Sequence, residues 1–356
     1  MDGLTHPRDL EAWHRWQHAS QPLGRRVERV VGVLRDIARP GARAGQVVVT
    51  RGGPEPRVLV CLESRTPASE AALLAPLRDV HPEDVVVVSP ERVRDVLPSW
   101  TWAESTTLAS DALPGLAEQA RVVLSAGHHL PLGHIARSAV GGRDTGDDRR
   151  FVTVQHGLLT PHAPPLAEGT TLLAWSEADA GYWRSGRDDV HTTVVGAQLL
   201  WDAGRPPTAV RAPQVPPVFL GQLNATELPR EALADAAESF CRAEHATYRP
   251  HPGELDRGSV AVHERLEAAG VPVDRSGAPL RDLGAPVVSV FSAGVLEAAA
   301  AGLPAWVTFA DPPPWLSALW ARYAMAPWGG PPTAAPHRPA TEPARAVAAV
   351  VQEMTG

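Results

Sequence analysis

Val287-Val-Ser-Val-Phe-Ser-Ala-Gly-Val-Leu-Glu-Ala-Ala-Ala-Ala-Gly302-Leu-Pro304 contains one whole unit of an α/β fold. The run Val287–Val290 has the β-branched, unbroken character of a strand buried on both faces. Ser292 stands where an N-cap side chain accepts from the first N–H groups of a helix. An alanine-rich apolar run follows, Gly302 supplies the residue that ends helices, and Pro304 cannot continue one. Strand, cap, helix and stop in so short a span are the repeating element of a parallel sheet wrapped by helices.

The same rhythm runs outward from this stretch. Short apolar runs at Val47–Thr50, Val58–Leu62, Val85–Ser89, Val122–Ser125 and Phe151–Val154 alternate with helical patterns such as Ser69–Leu77 and Leu113–Gln119. A second series comprises Leu172–Trp175, Thr192–Val195, Val218–Gly221, Ala246–Arg249, Val287–Val290 and Trp306–Phe309. Helices are predicted at Arg230–Ala243, Val260–Ala269 and Gly294–Ala301. The fold class expected is α/β, with two Rossmann-like doubly wound domains facing a cleft and an N-terminal helical extension. The spans are 1–46 for the helical segment, 47–165 for the first domain, 166–340 for the second and 341–356 for a last helix. Within 9–39, Trp13, Trp16, Leu23, Val27, Val30, Val31 and Leu34 recur at helical spacing. The proline-rich stretch Leu158–Gly169 reads as the joint between domains, and 141–150 as a polar loop.

Composition narrows the chemistry. The chain has 356 residues, with 33 basic and 40 acidic side chains and a formal net charge of −7. It contains no lysine, so every basic residue is arginine. This excludes a P-loop lysine, a Schiff-base lysine and a pyridoxal-phosphate anchor. The acidic balance argues against a nucleic-acid partner, which selects a basic surface. Two cysteines, Cys61 and Cys241, are too few for a disulfide framework or a cysteine zinc site. No run reaches the about 18 apolar residues that a membrane span needs, and no signal peptide is recognisable, so a cytoplasmic location is expected.

Ligands of open α/β sheets bind outside the carboxyl ends of the strands, so polar residues at those ends are the candidates. Gln155-His156-Gly157 follows the strand Phe151–Val154. In Arg249-Pro-His-Pro-Gly-Glu254, the prolines hold Arg249 and His251 in extended backbone. Residues two apart on extended chain project to one side, so guanidinium and imidazole are presented together, a pair suited to a diphosphate. Ser292 with Gly294 opens a helix whose N-terminus favours phosphate, and Glu297 one turn in is suited to ribose hydroxyls. Gln222, just past Val218–Gly221, and Glu254 join this donor set. His128 and His129, past the strand Val122–Ser125, join Gln155 on the acceptor side. Five histidines fall between 128 and 162, but their spacing matches no zinc pattern, so neither metal nor cofactor is expected.

Taken together, Gln155-His156-Gly157, Arg249-Pro-His-Pro-Gly-Glu254 and Ser292…Glu297-Ala298…Gly302-Leu-Pro304 resemble the GT-B glycosyltransferase superfamily. Within it they are most similar to the CDP-glycerol glycerophosphotransferases of teichoic acid synthesis, with His-Pro-motif capsule polymerases and sialyltransferases as related types. The resemblance covers about residues 150–310. It implies metal-independent transfer of a glycosyl or glycerophosphate group from a CDP-, CMP- or UDP-linked donor to a hydroxyl acceptor. It makes His156 the catalytic base, His251 the partner of the donor diphosphate, and Ser292 and Glu297 holders of phosphate and ribose. The net charge favours a soluble acceptor or transient membrane contact. Two rivals stand beside it: a UDP-N-acetylglucosamine 2-epimerase-like enzyme, for which Glu63 is a candidate acid, and a non-catalytic nucleotide-sugar-binding protein of the same fold.

Overall fold

The structure is a computed structural model that describes residues 3–20, 46–97, 104–140, 150–204 and 215–356. The later part of the 9–39 helix and nearly all of the 141–150 loop lie outside them; the described helix there is Leu10–Ser20. The described residues form two compact units. One draws on 3–13, 46–199 and 339–356, the other on 14–20 and 200–338.

The first unit is built on eight strands: β1 (Gln46–Arg51), β2 (Val58–Cys61), β3 (Val85–Ser89), β4 (Glu104–Ala109), β5 (Val122–Ser125), β6 (Arg150–Val154), β7 (Thr171–Ala174) and β8 (His191–Val194). Their order is β4-β1-β3-β2-β5-β6-β7-β8. From β3 to β8 the pairing is parallel, whereas β1 runs antiparallel to both β3 and β4. Alternation along each strand fills two cores. Val58, Val60, Val85 and Val87 pack on one face with Leu73, Leu77, Val347 and Val351. Leu59, Cys61, Val86 and Val88 pack on the other with Leu113, Leu116 and Ala136. Helices thus cover both faces, as parallel strands buried on both sides require.

The second unit holds β9 (Val218–Leu220), β10 (Thr247–Arg249), β11 (Val287–Ser289) and β12 (Ala305–Val307), all parallel, in the order β10-β9-β11-β12. Ser292 caps the helix Ala293–Ala300, its Oγ accepting from Gly294 N at 3.1 Å. Gly302, with φ of 74°, closes that helix: its N–H donates to Ala299 O at 3.0 Å, and Leu303 N donates to Ala298 O at 2.8 Å. This is the paired 5→2 and 6→1 bonding of a glycine-terminated helix.

Three features depart from the sequence reading. The strands at 172–175 and 192–195, read there as opening the second domain, are β7 and β8, and both hydrogen-bond into the first sheet. Leu158–Gly169 therefore joins neighbouring strands of one sheet. It is tied down by Trp183 Nε1 to Pro164 O at 2.8 Å and by Arg187 to Leu166 O at 2.6 Å. Finally, the last helix, Pro343–Thr355, belongs to the first unit, where Val347, Ala348 and Val351 enter the core. No helix among the described residues is long and apolar enough to cross a membrane.

Candidate functional site

In each sheet the chain order changes direction beside one central strand, which has the next strand of the chain on one side and a later strand on the other. β2 lies between β3 and β5, and β9 lies between β10 and β11. At such a switch point the loops leave in opposite directions and open a crevice at the strands' carboxyl ends. The residues read as donor-binding end or follow β9, β10 or β11, on the carboxyl side of the second sheet.

Arg249 ends β10. Its guanidinium donates to Asp274 Oδ2 at 3.3 Å and to Ala278 O, contacts that fix its direction. His251 is exposed; its Nδ1 accepts from Gly253 N at 3.0 Å, and its backbone O accepts from Glu254 N at 2.9 Å. With Nδ1 accepting, the neutral ring carries its proton on Nε2. Glu297, half-buried on the helix Ala293–Ala300, has its carboxyl raised to about 7 by burial, which outweighs the opposing fields of Arg249 and Arg281. Gly294 serves packing: a Cβ there would lie 2.5 Å from Leu220 Cδ1, so glycine lets the helix N-terminus seat close to β9.

Two members of the donor set turn inward. Gln222 Oε1 accepts from Ser289 Oγ at 3.0 Å and Phe291 N at 2.9 Å, bridging β9 to β11 across the switch point. Glu254 is buried. Its Oε1 accepts from Leu223 N at 2.8 Å, and its Oε2 accepts from Tyr248 Oη at 2.8 Å and meets His263 Nε2 at 2.9 Å. Tyr248, His263, Arg230 and Asn224 were not picked out from sequence. A Cβ built on Gly253 would lie 3.0 Å from Asn224 Nδ2 and 3.2 Å from His251 Nδ1, which places the Asn224 amide beside the imidazole.

In the first unit His128 and His129 follow β5, and Gln155 and His156 follow the adjacent β6. Gly127, at φ of 148°, turns the β5 loop so tightly that a Cβ would lie 2.5 Å from His129 Nδ1. The His129 ring meets Trp13 edge-on, with centroids 5.4 Å apart. Gln155 is committed internally: Nε2 donates to Asp179 Oδ2 and Gly157 O, each at 3.0 Å, and Oε1 accepts from Trp175 N at 2.9 Å. His156 lines a pocket of ≈ 20 Å³ with Trp175, Gln198 and Pro343. Its Nδ1 is buried without a hydrogen-bond partner among the described residues. Burial lowers its pKa, against the pull of the Val154 backbone, and a neutral imidazole is the form a base requires. At the β2 switch point Glu63 Oε1 accepts from Gly133 N at 2.9 Å, and burial raises its carboxyl despite that bond. Among the described residues there is no group of three or more His, Cys, Asp and Glu side chains that could hold a metal ion.

No family model matches the chain, and no curated protein matches it. Solved structures with some similarity include a mutant O-GlcNAc transferase of Thermobaculum terrenum, at 14% identity and TM-score 0.41. That match covers 85% of this chain and 63% of the other, so the chain spans under two thirds of that protein. The UDP-N-acetylglucosamine 2-epimerase of Rickettsia bellii shares 10% identity at TM-score 0.41, covering 84% of this chain and 95% of that one. A glycotransferase of kitacinnamycin shares 14% identity at TM-score 0.36, with 85% and 92% covered.

Proposed function

We propose that the protein transfers a glycosyl or glycerophosphate group from a nucleotide-activated donor to a hydroxyl acceptor. One observation supports this reading: Arg249 ends β10, His251 follows it with Nδ1 accepting, and a serine-capped helix bearing Glu297 follows β11, all at the carboxyl side of one parallel sheet. Three of these are positive or proton-donating and suit the oxygens of a diphosphate. Glu297 stands one turn further on, where a carboxyl can bond the ribose. In the reaction, neutral His156 takes the proton of the acceptor hydroxyl. The oxygen then attacks the anomeric carbon of a sugar donor, or the phosphorus of a CDP-glycerol-type donor, and the bond to the nucleotide phosphate breaks. Arg249, His251 and the helix dipole take up the charge that develops on the leaving phosphate. The donor, CDP-, CMP- or UDP-linked, supplies the transferred group, and the protein's own cations supply the stabilisation that other enzymes draw from a metal.

The test is a thermal-shift titration of the full chain with CDP, CMP, UDP and GDP, alone and as their sugar or glycerol conjugates. A nucleotide present at a hundred times its Kd stabilises the fold by about 2.7 kcal/mol. His251→Ala should abolish that shift, whereas His156→Ala should leave it and abolish transfer. Absence of a shift with every nucleotide would overturn the reading. The raised carboxyl of Glu63 at the other switch point favours a second reading, proton transfer on a UDP-sugar, which turnover of UDP-N-acetylglucosamine without an acceptor would reveal.

A further inference from the structure

Beneath the His251 loop lies a group of buried polar side chains to which the transfer chemistry gives no part. Glu254 is 2% exposed, Tyr248 0% and His263 5%. A carboxylate this deep persists only where hydrogen-bond partners surround it. Here Tyr248 Oη, His263 Nε2 and Leu223 N meet it at 2.8, 2.9 and 2.8 Å. The arrangement leaves no room for a side chain at Gly221 in the β9 loop: a Cβ there would stand 2.2 Å from Tyr248 Oη and 2.6 Å from Glu254 Oε1.

The cluster binds two loops to each other. Through Leu223 N it holds the loop after β9, whose next residue is Asn224. Arg230 closes the other side: its Nε donates to Leu223 O at 3.3 Å, and its guanidinium pairs with Asp256 Oδ1 at 2.9 Å, two residues past Glu254. The main chain leading into Glu254 then makes the two bonds that set the imidazole, Glu254 N to His251 O and Gly253 N to His251 Nδ1.

We infer that the Tyr248–Glu254–His263 cluster is a positioning device for His251: by pinning Glu254 it holds the Gly253 N–H on Nδ1 and so keeps His251 as the Nε2–H tautomer. That N–H is a hydrogen-bond donor for a phosphate oxygen. The identity of this ligand rests on the function proposed above, but the tautomer does not.

Nitrogen NMR on full-length protein labelled at its histidines tests it, with the His251 signals assigned by their loss in His251→Ala. The wild type should show Nδ1 unprotonated and Nε2 protonated. Tyr248→Phe and Glu254→Gln should each give mixed tautomers while far-ultraviolet circular dichroism stays native. Each should also weaken CDP or UDP binding by about tenfold, the effect of losing one charge-assisted hydrogen bond. If Glu254→Gln fails to fold, Tyr248→Phe, which removes one hydroxyl, decides alone. A single Nε2–H tautomer retained in the folded variants, or a mixture already present in the wild type, overturns the inference. If neither nucleotide binds the wild type, the donor assignment fails, and the tautomer result still decides the positioning role.

Discussion

Gln155 and Gln222 sit just past the ends of β6 and β9, and each uses its amide to bind a neighbouring strand's loop. Their wiring differs. Gln155 donates to the buried carboxylate of Asp179 and accepts from Trp175 N, whereas the Oε1 of Gln222 accepts from Ser289 and Phe291. Gln155→Glu would set two carboxylates face to face and should cost about 3 kcal/mol or more. Gln222→Glu keeps an acceptor where one is needed and should cost within about 1 kcal/mol. Urea denaturation checks both, and equal losses would contradict the wiring. Glu297 gives a pH-dependent outcome. Its carboxyl is raised from 4.5 to about 7 by burial, so the folded state holds the proton more tightly than the unfolded chain. The associated stability is present below the unfolded value and is lost as pH rises through about 7. Glu297→Gln should therefore leave stability nearly unchanged at acidic pH and raise it at pH above 7 by on the order of 1 kcal/mol, allowing for solvent screening. At this scale, Arg249 was legible as the last residue of a strand because the proline after it restricts its backbone locally. The inward turn of Glu254 was not, since its partner Leu223 lies 31 residues earlier and only the tertiary fold brings it near.

Two helix starts in the second unit, at Ser292 and Asp256, are each set by a single side chain. Asp256 caps the helix Arg257–Ala268, its Oδ1 accepting from Gly258 N at 3.1 Å and Ser259 N at 3.2 Å, and it also pairs with Arg230. Asp256→Ala removes the cap and leaves a largely buried arginine without this anion, so a loss of about 2 kcal/mol or more is expected. Asp256→Asn retains the capping oxygen and should lose about half as much. Chemical denaturation of both variants separates the parts, and equal losses would show that the ion pair adds nothing. Legibility at the element scale divides on the same local grounds. Val58–Cys61 and Val287–Ser289 announce buried strands by β-branched runs, and Ser292 and Gly302 mark helix ends whose hydrogen bonds close within a few residues. β4 (Glu104–Ala109) was not anticipated because its sequence, Glu-Ser-Thr-Thr-Leu-Ala, is mostly exposed at a sheet edge and carries no apolar signal. β7 and β8 were found, but they were grouped with the wrong strands. An apolar run tells that a strand is covered, and nothing in it says which strand lies beside it.

For the whole molecule the decisive partition is set by long-range packing. The chain leaves the first unit after Leu199 and returns to it at Pro339, so the first core is completed only when the last helix has been made. Val347 and Val351 are 3% and 1% exposed and lie in one cluster with Val58, Val85 and Leu77. Gln352 Nε2 donates to Asp79 O at 2.7 Å, and Arg57 donates to Thr355 O at 3.2 Å, holding the last turn of the helix. Val351→Asp places a carboxylate against the face of that sheet with no partner to meet it, a change that should cost about 3 kcal/mol or more. The loss falls on the first unit, whereas the switch point formed by β9, β10 and β11 keeps every hydrogen bond described for it. Thermal unfolding of Val351→Asp should then separate into two transitions. A nucleotide held by the second unit should raise only the later transition, by mass action on the unit that binds it. A single transition moved as a whole by the nucleotide would mean that the two units unfold as one, and an unchanged melting profile would mean that the last helix is not seated in the first core.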